Sequence, residues 1–342
     1  MKKFFSLAIL GLIGIAGLTV FGQENREFAT YREMRAYLGE LFNQKKYAEA
    51  ATLLESVLDR FPDNVMANTY NLATARLFLG EIDKSMAALE DGHHRGVFYG
   101  IWDFEADMWE PVRKHERYAA FRKENDARVE AASKKAVLIV DVVTPEEYDP
   151  AKKYPLFIAL HGGGESVAEL KPNWISPRLG KEFLTAYIQS TQVAGMRGFH
   201  WQGEETTRRD VAEAYRRILA EYPVDTGRIL IGGFSSGGFA SMIVSFSDLL
   251  PVRGFVALCP EPPQTIGDDA VAETAKRGLK GTLLTTELDR RLDRQKELVA
   301  RLAGLGFDCE IDITPNIGHW FPENFAALLD RAIGRILGDG RT

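Results

Sequence analysis

Cysteine is all but missing: Cys259 and Cys309 are the two in 342 residues. Neither stands in a C-x-x-C or Cys/His spacing, so no structural zinc site is implied. Concentrated positive charge is missing too. The 42 Lys and Arg against 48 Asp and Glu give a formal net charge of −6, or −8 once the two N-terminal lysines are left out, and there is no long basic run. Nucleic acid is thereby excluded as an expected partner. Proline is scarce in the first third, where Pro62 and Pro111 are the only ones between residues 24 and 130. The chain as a whole, 45% hydrophobic and 26% charged, is ordinary globular material with room for one large domain or two.

The N-terminus has one long apolar run. Lys2 and Lys3 precede an uncharged stretch from Phe4 to Phe21, with Val20 two before Gly22. It reads as a secretory signal peptide over residues 1–22, with an uncleaved anchor as the alternative. An exported protein with no membrane span after cleavage is expected. Residues 23–134 read as helical, rich in Ala, Leu, Glu, Lys and Arg. Within them Leu41 to Ala50, Leu54 and Phe61-Pro62 have counterparts about 35 residues later in Asn71 to Ala73, Leu79 to Ile82 and Ala88-Leu89. This resembles a pair of tetratricopeptide repeats. The resemblance implies helix-turn-helix units, serving as a docking surface for a protein or peptide or as a prop for the neighbouring domain. Two repeats cannot bury a solenoid core, so Trp102, Phe104, Trp109, Tyr118 and Phe121 are expected to cap them or to pack on the neighbouring domain. His93-His94 reads as a solvated inter-helix turn, since adjacent histidines do not share a helix face.

From residue 135 the pattern changes to short apolar runs separated by helical stretches. Strands are expected at Ala136–Val143, Pro155–Leu160, Phe183–Ile188, Ile229–Ile231, Phe255–Leu258, Thr282–Leu284 and Cys309–Ile313, with a helix over Arg208–Tyr222. The alternation predicts an α/β fold, a mainly parallel sheet flanked by helices, over residues 135–342, preceded by the small all-α region. Ligands of such a sheet sit beyond the carboxyl ends of its strands.

Three motifs lie at those ends. Gly233-Phe-Ser235-Ser-Gly237 follows a strand and precedes a helix start. This is the layout of a nucleophile elbow, in which small residues two before and two after the serine let strand and helix nearly touch. The second strand runs into His161-Gly162-Gly163-Gly164, whose unobstructed amides suit an oxyanion hole. Gly163 or Gly164 would supply one donor and the amide of Ser236 the other. Of the six histidines His319 alone follows the serine, on a loop after the last strand, and it is the expected base, with His161 and His200 as competitors. Asp289 is the expected acid, with Glu287, Asp293 and Glu261 as alternatives.

With these motifs in this order, residues 136–338 resemble an α/β-hydrolase, of the carboxylesterase, feruloyl-esterase and polyhydroxybutyrate-depolymerase-like group. Tyr148 to Gly162, Tyr222 to Ser235 and Gly318-His319 carry the resemblance, and Thr286 departs from it where a glycine is common. It implies a Ser235–His319–Asp289 triad that cleaves carboxylic esters, small or polysaccharide-linked, through an acyl-enzyme, with no cofactor and no metal. A serine peptidase of the same fold, or a binding module that uses the repeats, is the other reading. The family's sheet also sets one strand between those bearing Cys259 and Cys309, about 10 Å apart and beyond disulfide reach. His161, Trp174, Trp201 and Trp320 are the expected substrate-binding residues. Together with Phe199 and His200, the tryptophans either line an aromatic-accepting pocket or pack loops over the sheet.

Overall fold

The computed structural model describes residues 28–196 and 198–339. The expected signal peptide lies outside them. No helix among the described residues is long and apolar enough to cross a membrane.

The first third is helical, with α1 (Tyr31–Asn43), α2 (Tyr47–Val57), α3 (Val65–Phe78), α4 (Ile82–His94), α5 (Glu110–Arg113) and α6 (Tyr118–Ser133). Consecutive helices from α1 to α4 pack on one another. Leu38 and Ala73, Ala51 and Met86, and Leu54 and Leu89, each pair 35 residues apart, all face one core. The α1–α2 and α3–α4 turns each contain a residue at positive φ, Lys45 and Gly80. Phe104, Trp109 and Phe121 complete that core, with Tyr118 packed at its edge. His93 differs from expectation. One residue before the end of α4 it is buried, stacked on Phe121 of α6 at 4.4 Å with Nε2 3.2 Å from Asn125 Oδ1 of the same helix.

The sheet comes next as β1 (Ile139–Val143), β2 (Tyr154–Leu160), β3 (Leu184–Gln189), β6 (Val224–Phe234), β7 (Val252–Leu258), β8 (Lys280–Thr286) and β9 (Asp308–Thr314), in the order β1-β3-β2-β6-β7-β8-β9. Only β1 runs antiparallel to its neighbour. All seven expected strands are present. Alternate residues of β2 feed two cores: Leu156, Ile158 and Leu160 meet one face, and Phe157 and Ala159 the other. The first face is covered by α9 (Glu204–Glu221), α10 (Ser236–Ser245), α11 (Asp268–Lys276) and α12 (Leu292–Gly304). The second lies under α7 (Val167–Leu170), α8 (Pro177–Glu182) and α13 (Phe325–Leu337). On α9 the buried line is Thr207, Asp210, Val211, Ala214 and Ile218, while Leu219 is exposed. Cys259 follows β7 and Cys309 lies on β9, with β8 between them, and both thiols are free.

One element escapes the sequence pattern. The hairpin β4 (Gln192–Gly195) and β5 (Gly198–His200) stands apart from the main sheet. It bonds on both sides: the Gly164 amide donates to Phe199 O at 2.8 Å, the Phe199 amide to Glu165 O at 2.9 Å, and the Ile101 amide to Ala194 O at 2.9 Å. The glycine loop is thus joined through the hairpin to the helical region.

Candidate active site

Ser235 stands between the end of β6 and the start of α10 with φ 52° and ψ −108°. A non-glycine residue holds such a conformation only when its surroundings enforce it. Gly233 and Gly237 do so. A Cβ on Gly237 would collide with Leu160 O, and one on Gly233 with the Gly237 backbone, so strand and helix meet closer than any side chain allows. The hydroxyl of Ser236 is already engaged, accepting from the Trp201 amide at 3.0 Å. Its own amide, the first of α10, has no acceptor within the helix.

His319 Nδ1 lies 2.8 Å from Asp289 Oδ2. The Asp289 side chain is fully buried. Burial acts to raise its carboxyl, but the His319 hydrogen bond, the Arg291 amide and the nearby positive charges outweigh it and bring it down to about 2. Two of the competing acids, Glu261 and Glu287, are engaged elsewhere. Glu261 pairs with Arg291 and Arg294, each at 2.7 Å, and Glu287 accepts from the Asn316 amide at 2.9 Å. Thr286, where a glycine is common in the family this chain resembles, ties the Asp289 and His319 loops together by donating its hydroxyl to Gly318 O at 2.6 Å. The ring of Phe234, next to Ser235, lies 4.8 Å from that of His319.

In the glycine loop the three amides have different tasks. Gly162 donates to Glu165 Oε2 at 2.7 Å and Gly164 to Phe199 O. Gly164 is therefore removed from the expected oxyanion donors: its proton already fixes the loop to β5. Gly163 is exposed beside Ser236; a Cβ built there would stand 3.5 Å from Ser236 Cβ.

Three expected substrate-binding residues are corrected. His161 is fully buried, accepting from the Ser190 amide at Nε2 (3.2 Å), with Nδ1 2.7 Å from Gly162 O, and burial holds it down at about 4. It anchors the loop from beneath. Trp201 is fully buried and donates from its indole to His161 O at 3.1 Å, and Trp174 is fully buried against Phe157 and Phe325. Both are core because their neighbours on the sheet cover them completely. Trp320 is 55% exposed, edge-on to Phe234, and stays open to a ligand.

Two polar residues of the site went unread. Glu165 is half-buried beside Gly162, its carboxyl raised by burial, with the charge of His319 among the influences on it. Arg291 brings Nη1 to 3.5 Å from Asp289 Oδ1 and 3.3 Å from His319 Nδ1. Their only signal is proximity to the glycine run and to Asp289. For a metal, Cys259, Asp289 and His319 offer three ligand atoms within 4.8 Å of one another. Asp289 and His319 are already bonded to each other, and the Cys259 thiol is pushed up to about 11, mainly by burial. That donor set is spoken for by the hydrogen bond.

The chain has the α/β-hydrolase fold. No protein-family model matches it. An uncharacterised protein from Bacillus cereus ATCC 10987 superposes with a TM-score of 0.50 at 23% identity, over 91% of this chain and all of its own. Looser matches are the butyrate-bound esterase Est2 of Thermogutta terrifontis (TM-score 0.46, 14% identity, 62% of this chain and 93% of that one) and a Porphyromonas gingivalis dipeptidyl peptidase 4 (0.45, 16%, 59% and 33%). In sequence, prolyl endopeptidase FAP of Homo sapiens is 29% identical over 133 residues, 35% of this chain. The match spans only 17% of that relative's length.

Proposed function

We propose that this protein is a serine hydrolase that cleaves carboxylic esters through Ser235, His319 and Asp289. The observation that carries the reading is the strained serine between two close-packed glycines, at the same sheet end as an imidazole bonded to a buried carboxylate. His319 Nε2 takes the hydroxyl proton as Ser235 Oγ attacks the ester carbonyl, and the amides of Gly163 and Ser236 donate to the resulting oxyanion. His319 then gives the proton to the departing alcohol. Water, deprotonated by the same imidazole, releases the acid and restores the serine. Asp289, ionised far below neutral pH, keeps the Nδ1 proton in position and balances the imidazolium.

Peptide-bond cleavage is the second reading, favoured by the sequence match to prolyl endopeptidase FAP. An exported location, and repeats of the tetratricopeptide type in the helical region, belong to the same proposal. The test is Ser235→Ala, expected to lower turnover of a p-nitrophenyl ester by about a thousandfold or more. A fluorophosphonate should label the native chain and not the variant. Near-native turnover by the variant would sink the assignment. Turnover of aminoacyl anilides above that of esters would decide for the peptidase.

A further inference from the structure

A cleft of about 530 Å³ opens between the helical region and the β4–β5 hairpin, directly outside the glycine loop. Met66 and Trp102 face it from the helical side and Met196 from the hairpin, and the acidic Asp63, Asp103 and Glu169 line it as well. Trp102 is the one aromatic of the expected capping group that leaves the helical core. A Cβ on Gly163 would lie 3.3 Å from its Cη2, and its ring meets that of His200 edge-on at 5.5 Å. The indole therefore stands over the glycine loop, beside the amide assigned to the oxyanion.

Sheet order decides which part of a substrate reaches it. The glycine loop follows β2, on one side of β6. Asp289 and His319 follow β8 and β9, on the other side. In acyl transfer the departing oxygen faces the imidazole that protonates it. The opposite flank, toward Trp102, is left for the acyl group.

We propose that this cleft is the acyl subsite of the hydrolase, sized for a bulky acyl group that lays an apolar part against Trp102, which the helical region supplies as a specificity-determining residue. The inference rests on the serine-hydrolase reading above. The cleft has the size of an ordinary small-molecule pocket, and the tryptophan–histidine corner offers ring faces and edges to an acyl group that carries a ring. It assigns the helical region a part in substrate selection, in place of the buried Trp174 and Trp201.

The experiment compares kcat/KM for p-nitrophenyl 3-phenylpropionate and p-nitrophenyl acetate in the full chain, Trp102→Ala and Met196→Ala. Trp102→Ala should lower the phenylpropionate-to-acetate ratio by about tenfold or more, and Met196→Ala by about threefold, the range expected for removing apolar contacts to one part of a substrate. Met196 is on an exposed turn, so its variant carries the test if Trp102→Ala does not fold. Ratios within about twofold of the native value in the folded variants would overturn the subsite. So would a native chain that reacts with fluorophosphonate yet does not turn over the phenylpropionate ester. Neither labelling nor turnover in the native chain would instead overturn the hydrolase reading beneath it.

Discussion

His161 and Asp289 were both conspicuous in the sequence, and they differ in what fixed their roles. Asp289 is the expected acid because a turn after a strand end can bring a carboxylate to a histidine, and His319 Nδ1 lies 2.8 Å from it. His161 was misread as a binding residue. Its role depends on Ser190, 29 positions away, whose amide occupies Nε2. That burial has a consequence for pH. His161 and His200 are both held down at about 4, in each case chiefly by burial, against an ordinary value near 6.5. On acidification the unfolded chain takes up these protons first, so the unfolded state gains. Stability is complete above about pH 6.5, erodes as pH falls toward about 4, and this contribution then levels off. The urea midpoint should drop between pH 7 and pH 4.5, and His200→Gln should drop less. An equal drop in native chain and variant would show that His200 is not buried as a neutral imidazole.

At the scale of elements, the elbow was legible because everything it needs is local: a strand, five residues and a helix start. Its geometry is equally local in its vulnerability. A methyl group on Gly237 meets the carbonyl oxygen of Leu160, part of β2 and unable to withdraw without breaking its pairing with β6. Gly237→Ala should therefore cost about 1–3 kcal/mol, the range for forcing extra atoms into a packed site. It should also lower fluorophosphonate labelling, since strand and helix must part and the serine lose its conformation. Urea unfolding together with the labelling rate checks this; unchanged values would mean that the contact is looser than described. The β4–β5 hairpin was illegible for the converse reason. Strands of four and three residues are too short for a period-two pattern, and their bonding partners lie in the glycine loop and the helical region.

For the molecule as a whole, the decisive question is whether the helical region is coupled to the chemistry. The change from helical to strand-and-helix patterning near residue 135 is plain in the sequence, but a period cannot reveal which surfaces meet. The structure has a continuous line of hydrogen bonds across that change. Asn125, buried in the helical core, accepts from the Tyr99 amide at 2.8 Å and donates to Tyr99 O at 3.1 Å. Two residues on, the Ile101 amide donates to β4 at Ala194, and β5 in turn accepts the Gly164 amide of the glycine loop. Gly195 packs so tightly there that a Cβ would lie 3.3 Å from Gly100 Cα. Asn125→Ala would leave a buried amide and carbonyl of Tyr99 without their partner, at about 1–3 kcal/mol each. Leu54→Ala, in the same helical core, costs a comparable amount through cavity formation, about 2–5 kcal/mol. It makes none of the hydrogen bonds on the line to the hairpin. If the line carries position, Asn125→Ala should lower kcat/KM for an ester several-fold under conditions where both variants remain folded, while Leu54→Ala leaves it near the native value. Equal activities at matched stability would mean that the helical region supports the sheet domain by bulk packing alone, with no dependence on how Tyr99 to Ile101 is held.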